Sequence, residues 1–178
     1  MSTEEWEKIH QEREWGRSPD IHCVRQVKKF MAQWKGNENP DALDIGCGVG
    51  ACSLMMKQAG MYVNAIDGSQ SAMDRTCWPL YGIKAWVADA QTVEFTAESF
   101  DFILDNLSLT YVQSPPWERI MSWLKPGGWL IHASFEEAPK GTPKAWHHLS
   151  PGNVVERHSS WVEGNAFSFV VRKYVKPS

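Results

Sequence analysis

A glycine-rich turn and the carboxylates that end the strands around it carry the chemistry legible in this chain. In Leu43-Asp44-Ile45-Gly46-Cys47-Gly48-Val49-Gly50, an acidic residue precedes three alternating glycines where a short apolar run must turn into a helix. Glycine has no Cβ, so such a turn can take positive φ and bring bare backbone N–H groups against a ligand. Asp44 then sits at the carboxyl end of the first strand, the edge at which open α/β sheets bind ligands. The next apolar run, Met61 to Ile66, stops at Asp67-Gly68-Ser69; the third, Ile83 to Ala88, stops at Asp89; the fourth, Phe100 to Leu104, stops at Asp105-Asn106. One such Asp is most often a turn former or a helix cap. Three on successive strands, behind a glycine turn, line up on one edge, and a carboxylate there can accept from both hydroxyls of a ribose. The pattern describes a place for a nucleoside with a diol. Gly46-x-Gly48-x-x-Ala51 also satisfies the loose dinucleotide fingerprint, so a nicotinamide-dependent dehydrogenase stays open on these residues alone.

The elements that position this edge follow from periodicity. Glu4 to Arg13 reads as a polar helix, interrupted by Trp15-Gly16-Arg17-Ser18-Pro19. Asp20 to Trp34 places Ile21, Val24, Val27, Met31 and Trp34 at the helical period. A helix spans about Val49 to Ala59 and stops at Gly60, and another starts near Ser69, a good N-cap. Ser114-Pro115 opens a helix with Pro at its first position, which carries Ile120, Met121, Trp123 and Leu124 and ends before Pro126. Strands alternating with helices predict a mostly parallel, doubly wound Rossmann-like sheet. Ala138 to Gly152, with Pro139, Pro143 and Pro151, suits a loop. Ser159 to Glu163 and Ala166 to Tyr174 then read as an antiparallel C-terminal hairpin around Gly164-Asn165.

From Asp41 to Glu136 the chain resembles the class I S-adenosylmethionine-dependent methyltransferases, small stand-alone domains among them. The resemblance rests on Leu43 to Gly50, Asp67, Asp89, Phe100 to Leu107 and Pro126-Gly127-Gly128. It implies an α/β, doubly wound Rossmann-like methyltransferase sheet, mostly parallel with an antiparallel C-terminal hairpin. It also implies S-adenosyl-L-methionine as cofactor. Asp44 and the Gly46-Cys47-Gly48 backbone would hold the methionine end, Asp67 with Gly68 the ribose and Asp89 with Ala90 the adenine, with Asp105, at the end of the fourth strand, a further cofactor-binding residue. Trp15-Gly16 is similar to the N-terminal cap of the tellurite-resistance and thiopurine methyltransferases, which would put Trp15 on the cofactor within a lid spanning Trp6 to Pro19. The first ten residues are too polar to dock strongly on their own, which leaves the anchoring to Trp15. The domain is expected to be single over residues 1–178: an N-terminal helical cap at 1–40, a cofactor-binding core at 41–136, and a loop with closing hairpin at 137–178.

Composition narrows the partners. With 43% apolar and 22% charged residues and a formal net charge of -3, the chain suits a soluble globular enzyme and lacks the broad cationic surface that phosphate backbones attract, which argues against nucleic acid as acceptor. No apolar run reaches membrane-spanning length, the acidic start carries no leader pattern, and Cys23, Cys47, Cys52 and Cys77 show no CxxC pair. Reduced thiols and a cytoplasmic location are the expectation. No metal is expected, since the His and Cys spacings match no ligand set. Against a dehydrogenase, 178 residues leave no room for a separate substrate domain, and Asp89 and the closing hairpin would go unexplained.

Eight of the ten tryptophans divide by position. Trp34, Trp86, Trp123 and Trp129 fall on periodic apolar faces and read as core. Trp15, Trp78, Trp117 and Trp146 fall at element junctions on the ligand edge, where a ring could cover adenine, line an acceptor pocket or lie over a sulfonium. Methyl transfer is an in-line displacement that alignment alone can accelerate strongly, so a base is optional for amines and thiols and needed for hydroxyls. His147 and His148, on the proline-rich loop, are the candidate catalytic residues, while His132 inside the fifth strand reads as a hydrogen-bonded core residue. Asp105-Asn106-Leu107-Ser108 stands where base- and glutamine-modifying enzymes carry Asn-Pro-Pro-Tyr or Asp-Pro-Pro-Tyr. A small-molecule acceptor is the leading expectation. A macromolecular acceptor, and a protein that binds the cofactor without transferring methyl, are the alternatives.

Overall fold

The structure is a computed structural model, and it describes all residues except 1, 13–15, 77, 113, 136–152, 163–164 and 178. Two helices, α1 (Thr3–Glu12) and α2 (Ile21–Gln33), precede an alternation of strands and helices: β1 (Asp41–Ile45), α3 (Ala51–Gln58), β2 (Tyr62–Asp67), α4 (Gln70–Met73), β3 (Lys84–Val87), β4 (Phe100–Asn106), α5 (Trp117–Trp123) and β5 (Leu124–Phe135). A hairpin of β6 (Asn153–Val162) and β7 (Asn165–Val175) closes the chain. The sheet runs in the order β3-β2-β1-β4-β5-β7-β6. The first five strands are parallel, and β7 runs antiparallel to both β5 and β6. Strand order reverses at β1, which pairs with β2 on one side and β4 on the other, and this is the crevice where doubly wound sheets take ligands.

Central strands buried on both faces form this sheet, and successive residues feed opposite cores. Ala42, Phe102, Leu104, Trp129 and Ile131 pack with Val27 and Phe30 of α2 and Met56 of α3. Leu43, Ile45, Ile103 and Leu130 pack with Ile120 and Trp123 of α5 on the other face. Such two-sided burial is why these segments read as apolar runs rather than as alternating ones. Among the described residues no helix is long and apolar enough to cross a membrane.

Several expectations needed correction. Trp86 is 44% exposed, because β3 is an edge strand paired only with β2. The fifth helix begins at Trp117 with Pro116 as its cap, two residues after Pro115, whose carbonyl instead takes the Trp117 N–H at 2.8 Å. The hairpin's first strand begins at Asn153, six residues earlier than Ser159. Ser69 caps α4 as expected, its side chain accepting from Ala72 N at 3.1 Å, although that helix is only four residues long. The proline-rich loop with Trp146, His147 and His148, together with Trp15 and Cys77, lies outside the described residues.

Candidate active site

The turn after β1 is built by hydrogen bonds that only glycine geometry permits. Gly46, Gly48 and Gly50 all have positive φ. A Cβ on Gly46 would come within 2.2 Å of Ser108 Cβ, and one on Gly50 within 2.2 Å of the Trp78 ring. At Gly48 the nearest atom would be His10 Cε1 at 3.8 Å, so this residue keeps space open above the turn rather than yielding to a packed neighbour. Gly48 N donates to Asp67 Oδ2 at 2.8 Å and Ser69 N donates to Asp67 Oδ1 at 2.8 Å. One carboxylate at the end of β2 therefore ties the glycine turn to the start of α4.

Asp44, Gly46, Cys47, Gly48, Asp67, Gly68, Asp89 and Ala90 line a single cavity of about 630 Å³ at the carboxyl edge of β1, β2 and β4. That volume is in the range of pockets that enclose a drug-sized ligand, ~300–1,000 Å³. Asp89 Oδ1 accepts from Gln91 N at 2.8 Å, which holds its side chain at the turn after β3. Asp44 is buried and accepts from Ser53 Oγ of α3 at 2.5 Å. Burial pushes its pKa up to about 7, against the pull of the Ser53 hydrogen bond, with the charges of Asp105 and Asp67 adding to the rise. The Cys47 thiol is driven well above its ordinary range, by burial first and then by Asp44 and Asp67, so it stays neutral.

Asp105 does not join them. It is fully buried, accepts from Leu109 N at 2.9 Å through Oδ1 and hydrogen-bonds His132 Nδ1 through Oδ2. Strand alternation explains this: Asp105 continues the face of Ile103, toward α5, whereas Asp44 continues the face of Ala42, toward α3. His132 is accordingly a hydrogen-bonded core residue, its ring edge-on to Trp117 at 4.9 Å. Trp117 and Trp78 are themselves buried, and neither lines the cavity; Trp78 donates from Nε1 to Met73 O at 2.9 Å beneath the glycine turn.

The residues after β4 do line it: Asn106, Leu107, Ser108, Leu109, Tyr111 and Val112. Leu107 has a φ of 67°, a conformation costly for a branched side chain and of the kind that clusters at ligand sites. Asn106 joins two segments, donating from Nδ2 to Asp20 Oδ2 at 2.8 Å and hydrogen-bonding His22 Nε2 through Oδ1 at 3.1 Å.

Sequence reasoning expected a lid from Trp6 to Pro19 but named no site residue in α1 and left its anchoring to Trp15. Ser2, Thr3, Trp6 and His10 line the cavity, and Thr3 approaches Gly68 so closely that a Cβ there would meet Thr3 Cγ2 at 2.8 Å. The helix is polar, yet it docks, because its anchor is a carboxylate rather than an apolar face. Glu7 accepts from Ser69 Oγ at 2.6 Å, from Ser71 N at 3.1 Å and from Ser71 Oγ at 2.5 Å. Those bonds, the Ser69 hydroxyl first, lower the Glu7 pKa to about 2. His10 is buried and burial lowers its pKa, so it is neutral near pH 7; among the described residues its Nδ1 has no hydrogen-bond partner. An unpaired buried polar atom in a cavity wall is a place for a ligand atom. The signal available in the sequence was the Trp6 and His10 pair, one helical turn apart.

Comparison with known proteins agrees with this geometry. Residues 43–132, a little over half of the chain, match the family model described as a methyltransferase domain. Phosphoethanolamine N-methyltransferase 1 of Arabidopsis thaliana is 29% identical over 129 residues, 68% of this chain and 26% of that protein. The ubiquinone biosynthesis O-methyltransferase of Albidiferax ferrireducens is 25% identical over 140 residues, 71% of this chain and 55% of that protein. The chain thus spans about a quarter of the length of the plant phosphoethanolamine N-methyltransferases it matches. Among solved structures, the N-methyltransferase NodS of Bradyrhizobium japonicum, in complex with S-adenosyl-L-homocysteine, shares the fold with a TM-score of 0.70 at 18% identity, over 100% of both chains. The glycine turn, the strand order with its antiparallel closing hairpin and the family match together place the chain in the methyltransferase domain family, of the class I S-adenosylmethionine-dependent kind.

Proposed function

We propose that the protein transfers a methyl group from S-adenosylmethionine to a small-molecule acceptor. The observation that carries this is the single cavity in which the glycine turn and Asp67 meet the residues after β4 under the cover of α1. The residues present fit the cofactor: Gly48 leaves space above the turn, Asp67 and Asp89 present carboxylates to it, and the His10 Nδ1 lacks a partner among the described residues. Bound there, the cofactor would supply an electrophilic methyl on a sulfonium.

The chain's own task is placement. Asp67, already oriented by two backbone N–H groups, keeps acceptor capacity for a ribose diol, and Asp89 stands one strand further for the adenine. Trp6, Tyr111 and Phe135 form a run of edge-on rings, at 5.1 Å between the first two and 5.9 Å between the last two, which lines the cavity with aromatic surface that can displace water once an acceptor is bound. Alignment in such a dry site can supply on the order of 7–11 kcal/mol of the barrier. A cavity of this volume suits a small-molecule acceptor.

Incubating the purified protein with methyl-labelled S-adenosylmethionine and a cell metabolite extract tests the reading. Label should appear in low-molecular-mass products. Cofactor binding by calorimetry without any labelled product would establish a binding protein that does not transfer methyl, and label in protein or nucleic acid would move the acceptor to a macromolecule.

A further inference from the structure

Four aspartates line the cavity, Asp20, Asp44, Asp67 and Asp89, and among its described lining residues there is no lysine or arginine. Asp44 lies buried under the glycine turn, and Asp67 and Asp89 stand on the cofactor side. Asp20 is different. It is exposed at the start of α2, beside the residues after β4, and one of its oxygens is held by Asn106 Nδ2 at 2.8 Å. The same cavity has an aromatic wall, with Trp6 edge-on to Tyr111 and Tyr111 edge-on to Phe135. Burial raises the Tyr111 pKa, so the phenol stays neutral and its ring keeps an electron-rich face.

We propose that the acceptor is a small amine with an apolar body, recognised by the rings of Trp6, Tyr111 and Phe135 and by the Asp20 carboxylate, and that acceptors bearing phosphate are rejected. This rests on the methyl-transfer reading above and specifies its substrate class. Aromatic faces and a carboxylate attract ammonium groups, whereas an anion entering here would lose water against carboxylates with no compensating cation among the described lining residues. Charge also favours the reaction itself. The bound ammonium first gives one proton to water, and the neutral amine's lone pair then forms the new N–C bond as the carbon–sulfur bond breaks, that bond's electron pair leaving on sulfur. One positive charge is conserved, passing from sulfur to nitrogen, and the product ammonium gives its extra proton to water. Asp20 and the rings stabilise the charge at the nitrogen, where it arrives. The phosphoethanolamine N-methyltransferases that the chain resembles are named for an acceptor that carries a phosphate, so the proposal separates this chain from them.

The test divides the metabolite extract by charge at pH 7 before incubation with methyl-labelled S-adenosylmethionine. Label is expected in the fraction retained by a cation exchanger, with phosphoethanolamine unlabelled when it is added alone. Asp20→Asn should raise the acceptor KM about ten-fold, the order of one charge-assisted contact, while calorimetric affinity for S-adenosylmethionine stays within about two-fold. Trp6→Leu, which keeps an apolar group and removes the ring, should raise the same KM. Label in the anionic or neutral fraction, or an acceptor KM untouched by both substitutions, would overturn the amine assignment and leave methyl transfer standing. No label in any fraction, with cofactor binding intact, would remove methyl transfer itself and this proposal with it.

Discussion

The Ser69 hydroxyl donates to Glu7 Oε2 at 2.6 Å and accepts from Ala72 N at 3.1 Å, so one side chain both caps α4 and fastens α1 over the cavity. Helix α1 is therefore held over the cavity by a carboxylate clamp on Ser69 and Ser71, and Ser69 is itself tied to Asp67, so the position of α1 and the turn that Asp67 shapes are linked.

Removing the clamp should open the lid. Glu7→Ala is expected to speed amide hydrogen exchange across Thr3–Glu12 by ~10-fold or more without changing exchange in the central strands. S-adenosylmethionine should slow that exchange in the parent. Since the folded Glu7 pKa of about 2 lies below its ordinary 4.5, the clamp is complete above pH 4.5 and weakens as pH falls toward 2. Exchange rates equal in parent and variant would mean that α1 is held by its other contacts.

Asp67→Ala should weaken S-adenosylmethionine binding by roughly ten- to a hundred-fold, from charge-assisted hydrogen bonds of about 1.5–3 kcal/mol. It also frees Gly48 N and Ser69 N, so the glycine turn should lose order. Calorimetry on the folded variant decides. An affinity within a factor of two of the parent would confine Asp67 to shaping the turn. Gly48→Val should abolish binding, because its side chain would enter the open space above that turn.

Asp44 makes stability depend on pH. Its folded pKa of about 7 lies above its ordinary 3.8, so between these values the folded chain binds more protons than the unfolded one and stability falls as pH rises. The fall begins near pH 4 and ends above pH 7. Asp44→Asn keeps an acceptor for Ser53 and cannot ionise, so its Tm should exceed the parent's at pH 8, with the gap closing as pH drops toward 4. Parallel Tm profiles in thermal unfolding would show that Asp44 ionises normally.

Asp105→Ala should act on the fold rather than on the cofactor. It orphans His132 Nδ1 and Leu109 N, at about 1–3 kcal/mol for each unsatisfied buried group. Denaturant unfolding should register the loss, while S-adenosylmethionine affinity of the folded fraction stays within about three-fold. A large affinity loss in a protein of unchanged stability would return Asp105 to the binding site.

What the sequence determined by itself was local. Runs of apolar residues, the glycines of Leu43 to Gly50 and the acids that stop β1 to β4 are properties of chain neighbours, and they specified the sheet, its closing hairpin and the edge that holds the site. Tertiary structure decided which way each group faced and what it met. Asp67 and Asp105 both end a strand, yet one lines the cavity and the other meets His132, because a single step along a strand turns a side chain to the opposite layer. Trp78 and Trp117 went into the cores, and Trp86 stayed exposed at an edge, according to what covered each strand. The docking of α1 was the least legible, because its hydrogen bonds join Glu7 to Ser69 and Ser71 across 62 and 64 residues, and no periodicity records a polar contact made only after the sheet has formed.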